Sequence, residues 1–486
     1  MHLSSSLLAL LLPAATQASL QIVPGASWTA SDGEHLNAHG AGIIRVNDTF
    51  YLIGEDKAQG SAFQNINCYS SRDLVQWKFE GRLLSRQGSG DLGPNRIVER
   101  PKVIYNDRTR QYVMWMHIDS SDYKDARVGV AVGDQVCGSY RRSHWHGLAG
   151  VSGKGMLTGV GYLRSFRPLG FQSRDMGLFK DDDGTAYLLT EDRQNGLRIN
   201  KLTADYLDVA EATYKWSEKI ESPAMIKLNG RYYIFGSHLT GWDPNDNVYS
   251  TSTSLSSGWS SWQTFADKGS NTYHSQTTYI LQYPGSPSNL MYLGDRWRPG
   301  NLHQSSYIWL PLTIEGTKVT LKNRGSWIPN LNPPTGGAST TWAAAPAATT
   351  YNALSSSNAR LSGAAKQVTC NNCANKKAAG YIGGPNNGVL TFYNINFSGS
   401  GSSNSQEELT TIWFRYHNGD SQARYASLVV NGREIPGRVA FIGTRGEVQS
   451  SVVHVPLRRG GGNEIVVRGW NGGWGPDVEA LIVPQQ

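Results

Sequence analysis

The chain has 486 residues, too many for one ordinary domain, so two domains are the first expectation. Charged residues make up only 17%, against 54 glycines, 15 tryptophans and 23 tyrosines, a balance that argues against a helical protein and for an all-β one with carbohydrate-facing aromatics. The formal net charge of +7 comes without any Lys/Arg run, so no nucleic-acid partner is expected.

The opening "MHLSSSLLALLLPAATQAS" carries an apolar run from Leu7 to Leu12, then the small residues Thr16 and Ala18. This is the pattern of a secretory signal peptide over residues 1–18, cleaved after Ala18. The run is too short to span a bilayer, and no later stretch reaches the ~20 apolar residues a span needs. A secreted protein without a membrane partner is therefore expected, and secretion permits disulfides. Cys370-Asn-Asn-Cys373 has no second CxxC to complete a zinc site and reads as a small structural disulfide. Cys68 and Cys137 either pair or stay free. The sequons at Asn47 and Asn396 are glycosylation candidates.

Five segments then share one plan of apolar strand, tight polar turn and tyrosine-led strand. They are "HGAGIIRVNDTFYLIGED", "ERPKVIYNDRTRQYVMWMHID", "DMGLFKDDDGTAYLLTED", "ESPAMIKLNGRYYIFGS" and "HSQTTYILQYPGSPSNLMYLGD", with second strands opening at Tyr51, Tyr112, Tyr187, Tyr232 and Tyr292. Asn-Asp, Asp-Asp-Gly and Asn-Gly are hairpin-turn chemistry. Asp181, Asp182 and Asp183 thus read as a turn, and their spacing lacks the glutamate that closes an EF-hand calcium loop. Five such units predict a five-bladed β-propeller. There the innermost strands start near the central channel, so His39, Glu99, Asp175, Glu221 and the His274/Gln276 pair converge on one pocket.

Converging carboxyl groups in an aromatic cleft suit glycoside hydrolysis, where one protonates the departing oxygen and another activates water or attacks the sugar. A third nearby carboxylate keeps the acid protonated by raising its pKa. No phosphate loop, nucleophile elbow or HExxH zinc site competes.

"RDMGLFKDDDGTAYLL" and "IESPAMIKLNGRYYIFGS" resemble the two signature segments of glycoside hydrolase family 43, five-bladed propellers that invert configuration. The resemblance covers roughly residues 22–325 of an expected catalytic domain at 19–325, and implies that Glu221 is the general acid and that Asp175 tunes and orients it. Most of the family carries a general-base aspartate on the first blade's inner strand, where this chain reads "NAHGAGII". That departure, with the segment "HSQTTYI", is similar to the exo-β-1,3-galactanase branch. There the glutamine matching Gln276 holds the attacking water as an imidic acid tautomer; Glu99 is the alternative base. Glu221 and Gln276 are then expected to face each other across the sugar, with about 6.5–9.5 Å between acid and base groups. The same resemblance implies substrate contacts at Glu55, Glu99, Tyr123, Asn195 and Thr240. Trp242 and Trp297 either stack on a sugar face or belong to the core.

Residues 326–350, rich in Pro, Gly, Ala, Ser and Thr, read as a linker. Residues 351–486 alternate in short strands and read as an antiparallel β-sandwich of the jelly-roll kind. "NEIVVRGWNGGWGPDVEALIV" and "FRYHNGDSQARYASLVVNG" resemble carbohydrate-binding module family 35. The likeness implies a galactose site of Gly380, Tyr381, Gly419, Asp420, Arg424, Trp474 and Asp477, an aromatic platform with a carboxylate–guanidinium rim. Such modules hold structural calcium through an early acidic residue, where this chain has Asn352. A calcium there is left open, and catalysis needs no cofactor.

Together these features describe a secreted, monomeric galactan 1,3-β-galactosidase acting on β-1,3-galactan and arabinogalactan-protein glycans, releasing galactose and bypassing β-1,6 branches. The alternatives are another family 43 activity, arabinofuranosidase or β-xylosidase, or a non-catalytic galactan-binding protein.

Overall fold

A computed structural model describes residues 20–138, 161–331, 342–399 and 407–485. The expected signal peptide lies outside the described residues, as does the middle of the expected linker. Five four-stranded antiparallel sheets follow one another along the chain, over residues 39–85, 96–166, 176–215, 220–264 and 276–321. We number them blades 1 to 5. Their inner strands, His39–Val46, Arg96–Asn106, Met176–Lys180, Ile220–Leu228 and Gln276–Gln282, contact one another in a ring that closes from blade 5 onto blade 1. This is the expected five-bladed propeller.

Strand periodicity explains why the blades stack. Successive side chains point to opposite faces. Leu178 and Leu188 therefore join Trp115 and Val130 between blades 2 and 3, while their neighbours Phe179 and Leu189 join Tyr232 and Ile234 between blades 3 and 4. Each such buried side chain contributes about 1.5–3 kcal/mol relative to exposure. The three aspartates form the expected turn: Asp181 N–H donates to Thr185 O at 2.8 Å, and Gly184 takes a φ of 83°. Asp181 also accepts from Lys227 and Tyr232 of the next blade, each at 2.6 Å, which uses its carboxylate in blade-to-blade contact.

The C-terminal part forms two facing sheets, of seven and six strands, around a core that includes Phe392, Phe414, Tyr416 and Phe441. One strand of the larger sheet comes from the other end of the chain. Ser27–Trp28 runs parallel to Gln449–Arg458, pairing Ser27 with Ser451. The expected linker is partly regular: Trp327–Pro329 pairs with Trp342–Ala344, and Ala348–Asn352 already belongs to the sandwich. Composition favours extended backbone there, and an extended segment beside another completes a ribbon.

Cys370 and Cys373 form the expected disulfide. Cys68 and Cys137 are also bonded, joining blade 1 to blade 2 with Cα atoms 5.8 Å apart. Among the described residues no helix is long and apolar enough to cross a membrane. Asn47 and Asn396 are both exposed.

Candidate active site

The site is built by irregularities at the inner-strand starts. In four of the five blades the register slips just beyond the residue that faces the channel: between His39 and Gly42, Glu99 and Lys102, Glu221 and Ala224, and Thr277 and Tyr279. Such bulges bend a strand and re-aim its side chains. The residue after each of the first three, Gly40, Arg100 and Ser222, adopts a φ of 55–57°. For Arg100 and Ser222 this conformation costs about 1–3 kcal/mol, a strain that collects at functional positions. Buried Lys102 donates to Gly40 O at 2.7 Å and Arg100 O at 3.4 Å, tying two of the bulges together.

Over these starts lies a cleft with about 840 Å³ of free space, lined among others by Glu55, Glu99, Tyr123, Asp175, Glu221 and Gln276. Six expected site residues thus meet. Glu221 is 4% exposed. Burial, then the charges of Asp175 and Glu191, push its pKa up to about 9, so at neutral pH it holds its proton. Asp175 Oδ2 accepts from Ser222 Oγ at 2.8 Å and lies 3.1 Å from Arg100 Nη2. Arg193 approaches Glu221 Oε2 to 4.0 Å and is held by Glu191 at 2.7 Å.

Gln276 is held at four points. Its Oε1 accepts from Arg100 Nη2 and from Trp297 Nε1, the latter at 2.9 Å. Its Nε2 donates to Glu221 Oε1 at 2.8 Å and Ser237 Oγ at 3.1 Å. The two groups expected to face each other across a sugar therefore touch directly. Arg100 and Trp297 anchor the amide oxygen, and that anchorage brings the nitrogen within reach of Glu221.

The opposite wall is an ionic chain. Lys57 Nζ lies 2.5 Å from Glu55 Oε2 and 3.0 Å from Glu99 Oε1, with all three side chains buried. Glu99 also accepts from Tyr123 Oη at 3.1 Å and faces His117 Nδ1 at 3.5 Å. Burial works to raise the Glu99 carboxyl, but Lys57 and His117 outweigh it and leave it well below the usual range. Burial lowers His117, yet its bonds to Asp119 and Glu99 carry it up to about 9. Among the described residues Glu99, His117 and Asp175 are the one group whose ligand atoms lie close enough for a metal, within 4.8 Å. Here Lys57 and a protonated His117 already supply the positive charge a metal would bring.

Two expected contacts do not reach the cleft. Asn195 donates to Asp192 at 2.9 Å, which secures its own turn. Thr240 donates to Asp243 O at 2.5 Å, and its neighbours Gly241 and Trp242 line the cleft instead. His39 is sealed beneath the floor, 2.9 Å from Asp295 and stacked on Tyr307 at 4.7 Å, while His274 is exposed. Trp242 and Trp297 both face the cleft, edge to face at 5.0 Å. The residues missed from sequence are Lys57, Arg100, His117, Glu191, Arg193, Ser222 and Ser237. Arg100 and Ser222 had a signal, each following a channel-facing glutamate.

In the sandwich, the expected galactose residues gather at one end. Tyr381 and Trp474 are exposed, with ring centroids 5.9 Å apart, and Lys366 lies over Tyr381 at 4.3 Å. Arg424 Nε donates to Asp420 at 2.7 Å, and Arg424 Nη1 to Gly475 O at 3.2 Å. Gly380 allows Asp477 close: a Cβ there would lie 2.7 Å from its carboxylate. Gly419 immediately precedes Asp420, and a Cβ on it would meet only His417. At the place of the expected calcium ligand, the Asn352 amide oxygen accepts from Leu354 N–H at 2.8 Å.

The family described as glycosyl hydrolases family 43 matches residues 37–278. The chain is 33% identical to an exo-β-1,3-galactanase from Phanerochaete chrysosporium, whose structure was solved with β-1,3-galactotriose. The match covers 95% of this chain and 99% of that one, at a TM-score of 0.62. An exo-β-1,3-galactanase from Clostridium thermocellum is 26% identical over 90% of this chain and 100% of its own, at a TM-score of 0.59. No curated protein matches the chain.

Proposed function

Because the chain belongs to glycosyl hydrolase family 43 and is a glycoside hydrolase, we propose that it is an exo-acting, inverting galactan 1,3-β-galactosidase. The observation that carries the reading is Glu221, a buried carboxyl held protonated at neutral pH in a cleft walled by fixed charges. The substrate is inferred from the full-length likeness to the Phanerochaete enzyme.

In this reading a terminal galactose lies against Glu55, Glu99 and Tyr123, whose charged and hydroxyl groups bond its hydroxyls. Glu221 gives its proton to the glycosidic oxygen, and the bond from that oxygen to the anomeric carbon breaks. Asp175, braced by Ser222 and Arg100, keeps the proton on Glu221 until then. The sugar enters between Glu221 and Gln276 and replaces their direct contact; water oriented by Gln276 then attacks the anomeric carbon from the other face, and the proton it loses passes to solvent water. The transition state resembles an oxocarbenium ion, so that proton leaves late and a weak base suffices. An imidic acid form of Gln276 would turn Oε1 into a donor facing two donors, so the amide form suits Arg100 and Trp297 better.

The protein is secreted in this reading, works without a cofactor, and passes β-1,6 branches because its cleft is open to solvent. The C-terminal module binds galactose units through Tyr381, Trp474 and the Asp420–Arg424 rim, raising local substrate concentration. Asn47 and Asn396 carry glycans. The test is product analysis after incubating β-1,3-galactan with the wild type and with Glu221→Gln. Free galactose from the wild type alone supports the reading; equal release by both removes Glu221 as the acid.

A further inference from the structure

The catalytic cleft does not end at its aromatic wall. A second cleft, with about 1110 Å³ of free space, shares Trp242, Gln276 and Trp297 with it and is bounded on the far side by Arg445 and Glu447 of the C-terminal domain. The two tryptophans thus stand between the first cleft and the second.

The far wall is held in place. Ser27–Trp28 pairs with the sandwich sheet, so the chain enters the propeller already bound to the other domain. Arg298 of blade 5 lies 2.8 Å from Glu447, and Arg445 donates to Gly300 O. Tyr425 Oη donates to Glu34 at 2.6 Å, and Arg438 forms an ion pair with the same carboxylate. A domain fixed by these contacts contributes side chains at defined positions, as a flexibly tethered one would not.

We propose that this interdomain cleft is a subsite for a further sugar unit of the substrate, completed by Arg445 and Glu447. The inference rests on the reading of the chain as a galactan hydrolase. Its chemistry suits a neutral sugar. Guanidinium donors stand beside a carboxylate acceptor, matching hydroxyls that both donate and accept. Trp242 offers the ring a face. The unit belongs either to the galactan backbone or to a branch on it.

The experiment compares kcat/KM of the wild type, Arg445→Ala, Glu447→Ala and the conservative Glu447→Gln, with thermal unfolding as the check on folding. One arm takes the ratio of a linear β-1,3-galactotetraose to the disaccharide; the other takes the ratio of a β-1,6-branched to a linear chain of equal backbone. Losing a charged hydrogen bond lowers one of these ratios about tenfold. A fall in the linear arm assigns the subsite to the backbone, and a fall confined to the branched arm assigns it to the branch. Unchanged ratios in folded variants overturn the proposal. A wild type that leaves the disaccharide intact overturns the galactanase reading instead.

Discussion

One guanidinium nitrogen, Nη2 of Arg100, donates to the amide oxygen of Gln276 and lies 3.1 Å from the Asp175 carboxylate. In the proposed mechanism Arg100 thereby joins the water-orienting side of the cleft to the acid-tuning side. Its backbone N–H also donates to Glu55 at 2.8 Å, and its Nη1 to Thr277 O at 3.1 Å. Removing the side chain with Arg100→Met should lower kcat by about 10²-fold, in line with misplacement of groups fixed for the reaction. The Arg100 charge pulls the Glu221 pKa down. The variant's residual activity should therefore persist to higher pH than the wild type's, and Arg100→Lys should restore part of both. Steady-state kinetics across pH checks this.

Asp175 acts in the opposite sense. Its charge is the second cause, after burial, of the raised Glu221 pKa. In the wild type the acid form is lost as pH rises through about 9, which sets the alkaline limb of the rate profile. Asp175→Asn removes a repelling charge, so that limb should move to lower pH while the rate at the optimum falls. A limb that stays in place would show that another group sets it.

Stability should carry the same signature. Between the ordinary carboxyl value of 4.5 and the folded value of about 9, the folded state keeps a proton on Glu221 that the unfolded chain has lost. Stability therefore falls as pH rises across that window. Glu221→Gln removes this slope. Its advantage over the wild type in denaturant unfolding should be small near pH 5 and should grow toward pH 9.

The Glu55–Lys57–Glu99 chain is buried, and Lys57 is its one cation in direct contact with both carboxylates. Lys57→Met leaves Glu55 without its paired cation and Glu99 with His117 alone. Breaking a buried pair this way costs about 3–5 kcal/mol. Calorimetry should show a fall of that size, with loss of galactose binding in titrations.

The sequence made the blades legible because period-two strands and turn residues are local signals. Glu99, Asp175 and Glu221 were legible too, since each lies at or near the start of an inner strand. Lys57 and His117 were not: a cation just past a strand, or a histidine within one, means little until the ring brings it beside Glu55 and Glu99. Asn195 and Thr240 are bonded within their own turns, to Asp192 and Asp243, and neither lines the cleft. The pairing of Ser27 with Ser451 left no mark in the sequence, because parallel pairing of distant segments has no turn to announce it. The direct contact of Gln276 with Glu221 depends on Arg100 and Trp297, from two different blades.

The central claim is that Glu221 delivers the proton in an inverting cleavage of β-1,3-galactan. Proton NMR of galactose as it is released tests it most directly. The account predicts that the α-anomer appears first with the wild type and that Glu221→Gln releases none on the same timescale. The β-anomer appearing first, or galactose released by Glu221→Gln at the wild-type rate, would contradict it.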